Sequence, residues 1–367
     1  MSTGHTQNRG TAAGSSERIA RPTGLAIVGD RFMSCAAFES AIRARCPRAL
    51  DFASMELPWP DAPMLHGYAT SGMEGLKEYQ GDADDIVRFV GDAEIVVTQL
   101  APFSATMLDR MPALRLIAVA RGGPVNVDLD ASRARRIRVV NAPGRNASAV
   151  AEFTIGVIIA ETRQITRGHD AMRKGVWRGD LYRADLVGRE LSQMTIGVIG
   201  YGRIGTRVVR LLHAFGSRIL VADPYVELSA ADVERGVVRT SFETLLRESD
   251  VVSLHARVTA ETLGFIGRHE FASMRNGAYF INTARGPMVD YDALTDALKS
   301  GRLRGAALET FAVEPTRADL ELLRLDNVTL TPHIAGASLQ TIEHAAQAVA
   351  EEVRRYLAGE GALNPCC

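Results

Sequence analysis

Short runs of β-branched and apolar residues alternate along the chain with longer stretches in which apolar positions recur every three or four residues. Leu25-Ala-Ile-Val28 precedes a helical pattern over 36–45, Ile95-Val-Val97 one over 104–110, and Leu116-Ile-Ala-Val119 one over 129–135, before Arg138-Val-Val140. Strands separated by amphipathic helices predict βαβ units and a parallel sheet. A longer segment, 147–168, carries Val150, Phe153, Val157, Ile158, Glu161 and Ile165 on one mainly apolar stripe and predicts a helix buried between domains or subunits. A second alternating series follows at 195–199, 218–222, 237–238, 251–254, 279–281, 305–308 and 328–330. Two α/β domains divided by one long helix are therefore expected. The polar connector 173–190, with Trp177 and Tyr182, is expected to cross the surface without regular structure.

At 367 residues with 46% hydrophobic and 23% charged side chains, the chain has the composition of an ordinary globular protein of about two domains. Forty-two basic and 43 acidic residues leave a net charge of −1, so there is no overall basic field for nucleic acid or an anionic membrane. Small molecules and other proteins are the expected partners. Cys35, Cys46, Cys366 and Cys367 form no C-x-x-C pair and no zinc spacing, which favours a reducing cytoplasm and no metal. No apolar stretch has the length of a signal peptide or a membrane span. Residues 1–23 are expected to form a flexible tail, and Cys366 and Cys367 an exposed end.

Gly200-Tyr-Gly202-Arg-Ile-Gly205 directly follows the strand 195–199 and opens a helix. In that setting Gly200 permits a tight turn, Gly202 lets backbone approach a pyrophosphate, and Gly205 lets helix and strand pack closely. The N–H groups of Arg203 and Ile204 at the positive helix end would hold the pyrophosphate. Asp223 ends the next strand, where a carboxylate accepts the adenosine ribose hydroxyls and repels a 2′-phosphate, favouring NAD over NADP.

Ligands of open α/β sheets gather beyond the carboxyl ends of the strands. Those positions hold His255 and Ala256, then Asn282-Thr283-Ala284-Arg285, then Glu309 and Glu314, then His333. An arginine offers a fork of donors to a carboxylate and a carbonyl oxygen, a histidine exchanges a hydroxyl proton, and a carboxylate orients the imidazole and raises its pKa. These are the parts needed to handle a hydroxy or keto acid. His255 itself is given no catalytic role, its backbone and that of Ala256 being placed at the nicotinamide or ribose pocket.

These residues carry a resemblance. The glycine loop with Asp223, Ser249-Asp-Val-Val-Ser-Leu-His255, Ile281-Asn-Thr-Ala-Arg-Gly-Pro-Met-Val-Asp290, Phe311-Ala-Val-Glu-Pro315 and Thr331-Pro-His-Ile-Ala-Gly336 together resemble the D-isomer-specific 2-hydroxyacid dehydrogenases, phosphoglycerate and glycerate dehydrogenases among them, over residues 24–357. The resemblance implies Arg285 as the substrate-orienting arginine, Glu314 as the partner carboxylate and His333 as the general acid/base. It places Thr283, Ala284 and Gly336 at the cofactor, and Glu309, where many members have Asp, against the nicotinamide amide. It also implies a doubly wound NAD-binding Rossmann domain (147–334) inserted into a discontinuous flavodoxin-like substrate domain (24–146 and 335–367), and a homodimer formed through the helix beginning near Ala147.

The substrate loop departs from the usual family pattern and reads Ala120-Arg-Gly-Gly-Pro-Val-Asn-Val-Asp128. Gly122 and Gly123 can still offer N–H groups to a carboxylate. Arg121 is expected to add a second anion contact, fitting a small 2-hydroxy or 2-keto acid with a second polar or anionic group, or else to form a structural salt bridge; Arg145 is placed near the hinge. Two other functions fit the same fold: a phosphite-type dehydrogenase, and a non-catalytic NAD-responsive protein resembling the C-terminal-binding co-repressors. Glu314 beside the histidine argues against the formate dehydrogenases, which use Gln there.

Overall fold

The computed structural model describes residues 23–47, 50–59 and 70–367. The amino-terminal tail of the sequence reading lies outside them apart from Thr23. The first unit comprises β1 (Thr23–Gly29), α1 (Cys35–Arg45), β2 (Leu50–Glu56), α2 (Ala83–Val90), β3 (Ile95–Thr98), α3 (Ala105–Asp109), β4 (Leu116–Val119), α4 (Leu129–Ala134) and β5 (Arg138–Asn141). Its parallel sheet has the order β2-β1-β3-β4-β5. Then come α5 (Ala147–Thr162), α6 (Ile165–Arg173), β6 (Thr195–Ile199), α7 (Gly205–His213), β7 (Arg218–Ala222), α8 (Ala230–Glu234), β8 (Val238–Arg239), α9 (Phe242–Glu248), β9 (Val251–Leu254), α10 (Arg268–Ser273), β10 (Ala278–Asn282), α11 (Tyr291–Lys299), β11 (Leu303–Leu308) and β12 (Val328–Leu330). The second sheet, also parallel, runs β12-β11-β10-β9-β6-β7-β8. Finally α12 (Leu339–Leu357) returns to the first unit and packs on α1, β4 and β5. The expected pair of parallel α/β sheets is present.

Local chemistry explains most helix starts. Ser34, Asp82, Ser104, Asp128, Ser229, Ser241, Asp290 and Ser338 each accept a backbone N–H of the first turn and so cap α1, α2, α3, α4, α8, α9, α11 and α12. The central strands β3, β4, β6, β9 and β10 are buried throughout, as strands covered by helices on both faces must be. The edge strand β2 is largely exposed, which explains why its polar sequence gave no strand signal.

Three expectations need correction. The long helix does not run to residue 168: Gln164 adopts a left-handed conformation (φ 56°) and divides α5 from α6. The connector crosses the end of α5 so closely that a side chain on Gly188 would meet the Thr162 carbonyl at 1.8 Å. The connector is also not wholly irregular, since Gly179–Tyr182 forms a 3-10 turn that leaves Trp177 and Tyr182 81% and 92% exposed. The carboxyl terminus is not loose either. Pro365 bridges Val140 on the edge strand β5, the Cys366 amide donates to the Val139 carbonyl at 2.8 Å, and both terminal cysteines pack on the first unit's core.

Candidate active site

The glycine loop sits between β6 and α7. Gly200 has φ 93°, and a Cβ there would meet the His255 and Ala256 backbone at 2.8 Å. At Gly205 it would lie 2.0 Å from the Gly200 carbonyl oxygen, whereas at Gly202 nothing stands within 4 Å. The two outer glycines are thus required by the protein's own packing, and the middle one faces open space where a ligand can approach. Ile204 starts α7 without a side-chain cap, and the amides of Arg203 and Ile204 donate to no protein acceptor among the described residues. That leaves donors and the positive helix end for a diphosphate. Asp223 follows β7; it accepts the Tyr201 amide at 2.7 Å and the Tyr225 and Val226 amides at 2.8 and 3.1 Å. Those bonds fix a carboxylate beside the loop. The residues fit a dinucleotide.

His255 follows β9, its ring Nε2 within 2.8 Å of the Ser253 hydroxyl and its Nδ1 buried without a partner. Burial pushes it down to about 4, so the ring is neutral and serves packing, while its backbone supports Gly200. After β10, Asn282 clasps its own turn: its side chain accepts the Ala284 amide at 3.0 Å and donates to the Arg285 carbonyl at 3.1 Å. Thr283 hydrogen-bonds Thr154 of α5 at 2.8 Å. Arg285 stands exposed at that strand end, one guanidinium nitrogen donating to the Ala284 carbonyl at 2.8 Å.

His333, left-handed at φ 54°, follows β12. Its Nδ1 lies 2.8 Å from Glu314 Oε2, and the other Glu314 oxygen accepts the Phe311 amide at 2.9 Å. Burial disfavours the imidazolium, but the hydrogen bond and charge of Glu314, joined by Glu309, outweigh it and hold His333 above the ordinary histidine value. With Nδ1 held by Glu314, Nε2 is left to exchange a proton. Glu309, which the sequence reading placed against the nicotinamide, supports this loop: it is buried, its carboxylate accepts the Ala335 amide at 2.8 Å, and its carbonyl takes the His333 amide at 2.9 Å. Burial raises its carboxyl. Gly336 packs on Asn146, whose amide nitrogen would lie 2.6 Å from a Cβ there.

In the first unit Gly122 and Gly123 follow β4 with open space where a Cβ would be. Arg121 is paired: it donates to the Glu78 carbonyl at 2.7 Å and to the Glu78 carboxylate. The expected second anion contact therefore already holds a carboxylate of the protein. Glu78, which carries no motif, escaped the sequence reading. Arg145 lies over the Phe32 ring at 5.9 Å with Nη1 unpartnered; burial and the charge of Arg121 lower it to about 10.

Comparison with known proteins now adds to the geometry. Residues 155–335 match the family model described as D-isomer specific 2-hydroxyacid dehydrogenase, NAD binding domain. The chain is 35% identical over 305 residues to a glyoxylate reductase of Thermofilum pendens, the match spanning 83% of this chain and 90% of that one. The chain belongs to this family. The dehydrogenase is also 37% identical over 280 residues to a D-3-phosphoglycerate dehydrogenase of Mycobacterium leprae, 76% of its own length but only 52% of the relative's. Its fold resembles the structure of a D-lactate dehydrogenase from Aquifex aeolicus complexed with NAD and lactic acid, with TM-score 0.69, 28% identity and coverage of 91% and 96%. NAD is the cofactor of this oxidoreductase. No helix among the described residues is long and apolar enough to cross a membrane, and no group of three or more potential metal ligands occurs among them.

Proposed function

We propose that the protein catalyses reversible, NAD(H)-dependent interconversion of a small D-2-hydroxy acid and its 2-keto acid. The observation that carries this reading is the Glu314–His333 pair at 2.8 Å, delivered from the loop after β11 and the end of β12, with Arg285 delivered from the neighbouring end of β10. The bound cofactor supplies or accepts the hydride at C2 of the substrate. Arg285 binds the substrate carboxylate and polarises the carbonyl oxygen, helped by the amides of Gly122 and Gly123. In reduction, protonated His333 delivers the Nε2 proton to that oxygen; in oxidation, neutral His333 removes the hydroxyl proton. Glu314 stabilises the imidazolium and fixes the ring. Asp223 binds the adenosine ribose hydroxyls, and Glu309 holds the His333 loop and reaches the nicotinamide amide. Closure of the two units over the substrate would exclude water.

Trp177 and Tyr182, exposed in the segment that follows α6, support a homodimer formed through the helix that begins at Ala147. The four unpaired cysteines support a reducing, cytoplasmic setting. The test is direct: His333→Ala and Arg285→Ala should each lower kcat on the best 2-keto acid by about 100-fold or more while NADH binding, followed by fluorescence, persists. Full turnover in either variant overturns the assignment.

A further inference from the structure

Glu78 is a residue that the catalytic motifs leave unexplained. It holds a left-handed backbone conformation (φ 50°) without being glycine. Such a conformation persists when the surroundings impose it, and here they do. The Lys77 amide donates to the Val125 carbonyl at 2.8 Å, the Gln80 amide to the Leu100 carbonyl at 3.0 Å, and Tyr79 and Gln80 are buried. Arg121 then grips both the carbonyl and the carboxylate of Glu78. The loop thereby fixes one carboxylate on Arg121, at the start of the Gly122–Gly123 segment. Burial pushes that carboxyl up, and the charges of Arg121, Arg285 and His333 more than reverse this, holding it below the ordinary glutamate range.

We propose that Glu78, paired with Arg121, is a specificity-determining residue that selects substrates whose distal end is a neutral hydrogen-bond donor, such as a hydroxyl, and rejects those carrying a second carboxylate or phosphate. The inference rests on the 2-hydroxyacid reading above and names the substrate class within it. Arg285 is committed to the carboxylate next to the reacting carbon. The charge of Arg121 is offset by Glu78, so a second anion would have to displace Glu78 or lie beside it, and like charges repel strongly once the units close over the substrate and exclude water. A hydroxyl, in contrast, can donate a charge-assisted hydrogen bond to the carboxylate. Arg145 is turned onto the Phe32 ring, and the buried Asp30 opposes part of its charge.

The experiment compares kcat/KM of the holoenzyme with NADH on glyoxylate, hydroxypyruvate and 3-phosphohydroxypyruvate. The last two differ by one phosphate. The expected result is at least a tenfold preference for hydroxypyruvate, equal to about 1.4 kcal/mol. That ratio shrinks about tenfold in Glu78→Gln and is retained in Glu78→Asp; losses common to all substrates cancel in it. Preference of the unmodified protein for the phosphorylated acid overturns this inference alone and needs no variant to fold, as does an unchanged ratio in Glu78→Gln. Absence of turnover on all three acids overturns the inference together with the reaction class.

Discussion

The Glu314→Gln variant isolates the role of the carboxylate, because the replacement keeps the size of the side chain and leaves an amide oxygen able to accept from the Phe311 amide, now 2.9 Å from Glu314 Oε1. What it removes is the negative charge 2.8 Å from His333 Nδ1. Both side chains are shielded, 21% and 26% exposed, so the interaction is only modestly screened. A hydrogen bond to a charged group contributes about 1.5–3 kcal/mol. Taking about 2 kcal/mol, the imidazolium of the variant is about 30-fold less favoured. The sign follows from the proton that His333 carries. Keto acid reduction needs the imidazolium, so its rate falls as pH rises through the histidine pKa; hydroxy acid oxidation needs the neutral ring and rises over the same span. Glu314 holds that pKa above the ordinary value, and removing its charge moves both limbs to lower pH. Initial rates in each direction across the pH range should show reduction losing about 30-fold on the alkaline side and much less on the acid side. Limbs that stay where they are would show that Glu314 does not set the protonation of His333.

Other expectations follow from the same contacts. Gly202→Ala places its methyl in open space, so the thermal midpoint should hold while NADH affinity falls at least tenfold; Gly205→Ala drives a Cβ to within 2.0 Å of the Gly200 carbonyl and should lower the midpoint itself, by about 1–3 kcal/mol of overpacking. Asp223→Ser removes the carboxylate that would repel a 2′-phosphate and should raise the NADPH-to-NADH ratio of kcat/KM at least tenfold, checked by running both cofactors side by side. Burial lifts the Glu161 carboxyl from 4.5 to about 7. A raised carboxylate pKa means this group's contribution to stability is greatest below the unfolded value and is lost as pH rises from about 4.5 to about 7, by about 3 kcal/mol in all; urea midpoints should decline over that window in the native chain and decline less steeply in Glu161→Gln.

How much of this was legible depended on the range of the interaction. The glycine loop was readable because its spacing between one strand and the next helix is a local signature, although the close approach that requires Gly200 comes from the distant His255 and Ala256 backbone. Arg285, Glu314 and His333 were readable because parallel strands deliver their carboxyl ends to one edge, so order along the chain already implies proximity. The break at Gln164 was not, because it falls where Gly188 from a distant segment crosses the Thr162 carbonyl. The docking of Cys366 depends on the open edge of β5, where the Asn141 amide also reaches the Asn364 carbonyl at 3.2 Å, and nothing in the terminal sequence advertises that edge. Glu78 and Arg121 belong to separate loops without a shared motif, so the sequence offered an arginine and hid its counter-charge. Glu309 showed the reverse: its type was noted, but its bonds to the loop of His333 emerge only from the fold.

The proposed reaction is reduction of a 2-keto acid with NADH at the site of Arg285, Glu314 and His333. The most direct measurement is the loss of NADH absorbance on adding glyoxylate or hydroxypyruvate to the unmodified protein, with NADPH run in parallel. Turnover with NADH well above that with NADPH is expected. NADH that binds but is not consumed with any 2-keto acid would contradict the proposed reaction.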